Sequence, residues 1–426
     1  MRGSASRTFS ALRIRNYRLY ILGQVISQSG TWMQTVAQGW LVLELTGSGT
    51  AVGLVTAFQF VPVLLLAPWA GVVVDRMPKR TLLLATQAVA GLQALTLGIL
   101  TVTGTVELWM VFLVAAMFGA VTAFDNPTRQ SFVLELVGRK ELTNAITLNS
   151  VTMNAARIVG PGAAGVVIAT VGIGPCFLIN AASYLAVIGV VALMRTSEME
   201  LLPRVPRMPG QLREGMHYVL GVPELRITLV MMAVIGTLAY EFQVILPLAA
   251  EFTFHGDAGT YALMTGTMGV GAVIGGLLGA GRASTGSDVI IATAIRFGIA
   301  FAAVALAPTL PVAIVALLFT GGTSVVFLSR ANATMQLTAD PAMRGRVMAL
   351  WTMAFLGSTP VGGPVIGFIG EHAGPRWGIA TGAAAAVGAA LWARHALRDH
   401  APLPIWGEGP AGATHGASAP TMTARS

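Results

Sequence analysis

The chain has 426 residues, 54% of them hydrophobic and only 10% charged, with a mean hydropathy of +0.72 and a formal net charge of +8. A soluble protein of that length carries far more charge on its surface, so lipid is the expected solvent. The basic residues lie between apolar runs instead of along one face with interleaved aromatics, which argues against nucleic-acid binding, and a single cysteine, Cys176, excludes an internal disulfide.

The interval before residue 17 carries Arg2, Arg7, Arg13 and Arg15 without a short apolar core or cleavage site, so 1–16 reads as a cytoplasmic arm, not a removable signal. Twelve apolar stretches long enough to cross a bilayer follow, which predicts an all-α membrane protein of twelve transmembrane helices in two pseudo-symmetric six-helix bundles. In the first bundle, 17–194, the stretches are Tyr17–Leu45, Ala51–Val74, Arg80–Thr103, Leu108–Phe124, Thr143–Val171 and Pro175–Met194. In the second, 225–398, they are Leu225–Ala250, Tyr261–Gly281, Val289–Ala307, Pro311–Ser329, Arg346–Ile369 and Trp377–Leu397. Between them, 195–224 holds Pro203, Pro206, Pro209 and Pro223 and reads as a cytoplasmic linker. Within it Leu212, Met216, Val219 and Leu220 recur at helical spacing beside Arg213 and Glu214, which suits either an amphipathic helix on the inner membrane surface or a solvated helix with an accidental stripe. The tail, 399–426, is rich in Gly, Ala, Pro, Ser and Thr and is expected to be disordered.

Orientation follows from lysine and arginine, which short cytoplasmic loops retain. With the N-terminus inside, Arg76, Lys79, Arg80, Arg139, Lys140, Arg204, Arg207, Arg213, Arg282, Arg344, Arg346, Arg394 and Arg398 fall in or beside cytoplasmic segments, and the outer loops keep essentially Arg376. Both termini are therefore expected in the cytoplasm. A shift of 203 residues sets Gly160-Pro161 against Gly363-Pro364 and Leu134 on Leu337. Parallel repeats of this kind characterise transporters that expose a midplane site to each side in turn.

The run containing Gly71, Asp75, Arg76, Lys79 and Arg80 resembles the loop between helices two and three of the major facilitator superfamily, with Pro78 where that pattern prefers glycine. Gly30-Thr-Trp32-Met-Gln34, the run from Trp40 to Ser48, Pro127-Thr-Arg129-Gln130 and Ala156-Arg157-Ile-Val-Gly160-Pro161 resemble the bacterial branch holding enterobactin exporters and macrolide-efflux-type proteins. The resemblance runs from about Phe9 to Leu397. It implies a monomeric secondary transporter in the bacterial inner membrane, and an inner gate latched by Asp75 against the start of helix eleven, around Met343 to Val347, when the cavity faces outward. An acid at a helix N-terminus is favourable, and Gly71 lets two helices approach closely. The bland alternative is a solvated Asp75-Arg76 pair that sets topology. Gly160, Pro161 and Gly165 look like part of the antiporter pattern, with Ala156 and Ala164 departing from it; the segment is either a bend or ordinary small-residue packing.

Charges deep in hydrocarbon are costly and face a cavity or a partner. Glu241 is the candidate proton-coupling carboxylate, against a structural ion pair or a place near the outer mouth. Arg157 is a candidate for an anionic substrate, an acidic partner or a structural role in helix five. Gln24 and Gln28, like Gln34 and Gln38, stand four apart and share a face, which would either line the cavity or bond neighbouring helices. Trp32, Tyr240 and Phe242 could stack on a planar substrate. Asp125, Arg129 and Arg330 are expected to snorkel at the cytoplasmic ends of helices four and ten. Without a phosphate-binding loop or metal-ligand spacing among the histidines, no enzyme, cofactor or metal is expected. The pattern fits a proton-coupled exporter of small amphiphilic molecules, such as drugs or a siderophore-like metabolite; the alternatives are an importer or uniporter of the same fold and, remotely, a nontransporting scaffold or sensor.

Overall fold

Hydrocarbon offers no partner for a peptide group, so a chain of this composition must satisfy its backbone within each segment. The computed structural model describes residues 10–199, 211–280 and 286–397, and among these the regular structure is helical. The start of the N-terminal arm, the linker prolines 203, 206 and 209, Arg204, Arg207, Arg282 and the tail 399–426 lie outside the described residues.

Helix α1 (Arg15–Thr46), α2 (Gly49–Arg76) and α3 (Lys79–Val102) are followed by Leu108–Val171, which is two helices joined at Gly138. There φ is +66°, a conformation open to glycine at little cost, so α4 spans 108–137 and α5 spans 139–171. Then come α6 (Gly174–Ala192), the short α7 (Gln211–Gly221), α8 (Pro223–Ala239) and α9 (Phe242–Leu248), the last prolonged by a π turn at Ala249–Thr253. The chain closes with α10 (Ala258–Ala280), α11 (Ser287–Leu306), α12 (Leu310–Thr338), α13 (Arg344–Leu356), α14 (Thr359–His372) and α15 (Pro375–Leu397).

Nine stretches among the described residues are long and apolar enough to cross a membrane, and one of the nine is the α4–α5 pair. Helices α1 and α15 have the length but a more polar or smaller-residue composition. Outward faces are apolar, with Leu306 78%, Leu277 74% and Leu185 67% exposed, as lipid-facing side chains should be.

Three predicted spans need correction. The fourth does not stop at Phe124: its polar continuation stays helical to 137, because Asp125, Arg129 and Glu135 turn inward, where they are shielded, instead of marking the helix end. The seventh is not continuous, since α8 ends at Ala239 and the chain restarts at Phe242 with Glu241 as its N-cap. The eleventh breaks at Gly357-Ser358, where Pro360 cannot donate an amide and its ring opposes the preceding turn. Helix α7 docks on α13 through Glu214 and Arg346 (2.6 Å), with Val219 buried and Met216 and Leu220 exposed.

The helices sort into two groups, α1–α6 and α8–α15, that meet chiefly through α2 with α14 and α5 with α10. We call the end that carries α7 the linker face and the opposite end the far face. Toward the far face α2 and α14 touch backbone to backbone: a Cβ on Gly53 would lie 2.2 Å from the Gly363 carbonyl oxygen, and one on Gly367 2.2 Å from that of Gly49. Glu371, at the end of α14, then accepts from the Thr50 N–H (2.9 Å), Thr50 Oγ1 (2.6 Å) and Ser48 Oγ (2.8 Å) at the start of α2. An acid on a helix N-terminus thus ties one group to the other.

Gly53→Val pushes carbon into the Gly363 carbonyl, and Glu371→Gln removes the capping charge. Labelling of a Thr56→Cys reporter from the far face should rise strongly with the first and about two- to five-fold with the second. The only native thiol, Cys176, is buried. Unchanged labelling in both would mean that this seam does not close the far face.

Candidate functional site

The polar residues of α1 divide into two systems. Gln34 accepts from Asn180 Nδ2 of α6 (2.7 Å) and lies 3.4 Å from Gln93 of α3 as donor, so it bonds helices within its own group. It also lines, with Gln38, Thr31, Thr35, Gln59 and Gln243, a cavity of about 20 Å³ between α1, α2, α4 and α9, room for about one water. Gln24 and Gln28 are elsewhere. Gln28 donates to Gln24 (3.4 Å), and Gln24 accepts from Arg129 Nη1 of α4.

Arg129 also donates through Nε to Asp125, whose Oδ1 accepts from Thr86 Oγ1 (2.7 Å) and Gln87 Nε2 (2.8 Å) of α3. The side chains of this pair are only 12% and 13% exposed. Snorkelling is therefore the wrong description of Asp125 and Arg129: α4 runs on past them, and hydrogen bonds from three helices replace the water they lose. Arg330 does lie near the linker-face end of α12, donating to the Gly279 carbonyl (2.7 Å).

Arg157 has no carboxylate partner among the described residues; its guanidinium lies over Trp32, 5.2 Å from the ring centroid, a cation–π contact between α5 and α1. It also interacts electrostatically with Tyr240 across the two groups. Tyr240 donates to the Ser324 carbonyl (2.7 Å) and joins Phe242, Phe297 and Phe355 in an aromatic cluster with centroid separations of 5.4 to 5.7 Å.

Glu241 occupies the break between α8 and α9 and is 3% exposed. Its neighbours are Thr359 at the start of α14 and the α14 glycines: a Cβ on Gly362 would lie 2.8 Å from Oε1 and one on Gly363 3.6 Å from Oε2. No cation among the described residues is within ion-pair distance. The carboxylate is thus placed behind the α2–α14 seam, with Oε1 lacking a hydrogen-bond partner among the described residues, and not on the Gln34 cavity.

In the loop motif Gly71 is buried, and Lys79 Nζ donates to the Val74 (2.5 Å) and Met77 (3.3 Å) carbonyls that end α2. Arg80 donates to the Val191 (3.2 Å) and Ala192 (3.0 Å) carbonyls that end α6. Met343, the N-cap of α13, makes no capping hydrogen bond with its own side chain. Through Gly160-Pro161 the α5 backbone stays helical; a Cβ on Gly160 would lie 2.5 Å from Trp32 Cβ, and one on Gly165 2.9 Å from Ala262 Cβ of α10. Sequence reasoning missed Glu371, although Ser48-Gly49-Thr50 is a recognisable helix start in want of an acid.

Two groups of long helices, apolar outside, polar within and sealed to one another at one face, define a membrane transporter of the major-facilitator type, not an enzyme. The chain belongs to the transmembrane secretion effector family of that superfamily, whose model matches residues 6–408. It is 24% identical over 369 residues to the multidrug efflux pump Tap of Mycolicibacterium fortuitum, covering 83% of this chain and 90% of that protein. It is 30% identical over 156 residues to the staphyloferrin A transporter of Staphylococcus aureus strain NCTC 8325, a match that takes in 36% of this chain and only 39% of that protein. The nucleoside transporter NupG has the same fold, with a TM-score of 0.72 at 12% identity over 90% of this chain and 99% of that one.

Replacing Asp125 with Asn leaves Arg129 buried without its counter-charge. Thermal unfolding in detergent should register a loss of about 3–5 kcal/mol, partly recovered by adding Arg129→Gln. Equal melting of the single and double variants would sink the ion pair as the organising contact.

Proposed function

We propose that this protein exports small amphiphilic molecules, drugs or a siderophore-like metabolite, from a bacterial cytoplasm in exchange for protons, by alternating access. In this reading twelve helices cross the inner membrane, the linker face and both termini are cytoplasmic, and one monomer in the lipid bilayer is the working unit.

The observation that carries the reading is the closed seam between the two helix groups at the far face. At the far face Glu371 caps the start of α2 and the glycine seam is shut. At the linker face the start of α13 is held by α7 through Arg346 and Glu214. Closing one end while releasing the other is what alternating access requires. Substrate would meet the amides Gln34 and Gln38 and the groups Trp32, Arg157, Tyr240 and Phe242 between the two halves; Gln24 and Gln28 support the Asp125–Arg129 pair. The names of the relatives, a multidrug pump and a staphyloferrin A transporter, support the direction and the substrate class.

Glu241 is the coupling residue in this scheme because it is the buried carboxylate beside the seam that must open. Protonated, it can remain there; ionised, it is driven toward water, which parts α14 from α2. In vesicles with an imposed pH gradient, Glu241→Gln should reduce gradient-driven transport at least about tenfold while leaving substrate exchange at zero gradient intact. Undiminished uphill transport by that variant removes Glu241 from coupling, and accumulation on the side of the termini reverses the proposed direction.

A further inference from the structure

A second cavity, of about 380 Å³, lies away from the space between the two halves, over α12 and between α10 and α11. It exists because α10 and α12 touch through glycine: a Cβ on Gly271 would lie 1.9 Å from the Leu318 carbonyl oxygen, and one on Gly275 2.4 Å from that of Gly322. With no side chains at these crossings, the flank of the pair is a trough. Its rim faces the membrane, with Leu278 66% and Phe319 62% exposed.

Two arginines line this apolar trough, and no carboxylate does. Arg296 lies on the outward face of α11, in line with Ile299 (61% exposed) and Leu306 (78%). It makes no hydrogen bond or ion pair with a described residue. From Ser287 it is about 14 Å along α11, and Arg330 is about 12 Å short of the linker-face end of α12, so the two stand at matching depth. The nearby hydroxyls do not serve Arg296: Thr293 donates to the Val289 carbonyl (2.8 Å) and Thr323 to that of Phe319 (2.8 Å). A guanidinium facing lipid at this depth is costly unless an anion reaches it, and basic pockets between helices near the membrane surface take anionic headgroups.

We propose that this trough binds an anionic phospholipid from the leaflet at the linker face. Its phosphate lies between Arg296 and Arg330, the latter held in place by the Gly279 carbonyl, and an acyl chain runs along Leu278 and Phe319. A free anion would leave the apolar rim uncovered; a zwitterionic lipid would bring a second cation toward the arginines.

Native mass spectrometry of the full chain in detergent, titrated with phosphatidylglycerol or phosphatidylcholine, tests the site. We expect one phosphatidylglycerol to be retained at roughly tenfold lower concentration than phosphatidylcholine, a preference that Arg296→Gln abolishes and Arg296→Lys largely keeps. Thr323→Phe keeps both arginines but fills the trough, and should lose the retained lipid of either kind; it also carries the test if Arg296→Gln does not fold. Retention of the preference in Arg296→Gln overturns the proposal. So does displacement by inorganic phosphate at the lipid's own concentration, which would mark a simple anion site. A photo-crosslinker at position 319 that joins two copies of the chain in lipid vesicles, instead of labelling phosphatidylglycerol, would assign the face to self-association and overturn it as well.

Discussion

The constraint on which the structure depends is that hydrocarbon neither hydrogen-bonds nor solvates charge. Every backbone group must then be satisfied inside a helix, and every deep polar side chain must find its partners in protein. The first requirement gives the helical rods. The second decides which faces turn inward: the amides of α1, the Asp125–Arg129 pair of α4 and Asn180 of α6 all meet inside one helix group, where each helix supplies what another lacks. Backbone contact supplies the remaining adhesion. With no hydrophobic drive between helices in lipid, van der Waals packing at glycine is what allows α2 to lie against α14.

Glycine contact is strong only while the backbones stay in register, so this adhesion is suited to being made and broken as a unit. The far-face seam combines it with a charge at a helix end, where the attraction falls off within a turn. Glu371 stands at the end of α14 and Asp75 at the end of α2, the two helices that meet at the seam. In the present conformation the Glu371 cap is made.

Much of this was legible in the residues. Apolar length gave the rods, and the Gly160-Pro161 and Gly363-Pro364 repeat marked α5 and α14, both of which prove to be helices on which the two groups meet. The loop motif and the matched segments pointed to the superfamily. The misreadings share one cause. Charge near the end of an apolar run does not end the helix at Asp125, and unbroken apolarity does not give an unbroken helix at Tyr240-Glu241 or Gly357-Ser358. Hydropathy records what a residue prefers as solvent; it does not record whether neighbouring helices provide that solvent. Glu371 escaped notice for the same reason, since its partners at Ser48 and Thr50 are more than three hundred residues away.

The two halves differ in how they hold charge. In the first, the acid Asp125 and the base Arg129 pair within a helix that the backbone leaves whole. In the second, the interior is an aromatic cluster around Tyr240, two of its helices are interrupted, and Glu241, the most buried carboxylate among the described residues of that half, sits at an interruption with a helix start and two glycines as neighbours. An interrupted helix is where local rearrangement costs least, because its terminal amides and carbonyls already make irregular bonds. A change of charge at Glu241 would therefore be absorbed by the adjoining ends of α9 and α14. Those ends lead directly to Gly363 and the seam between the two groups.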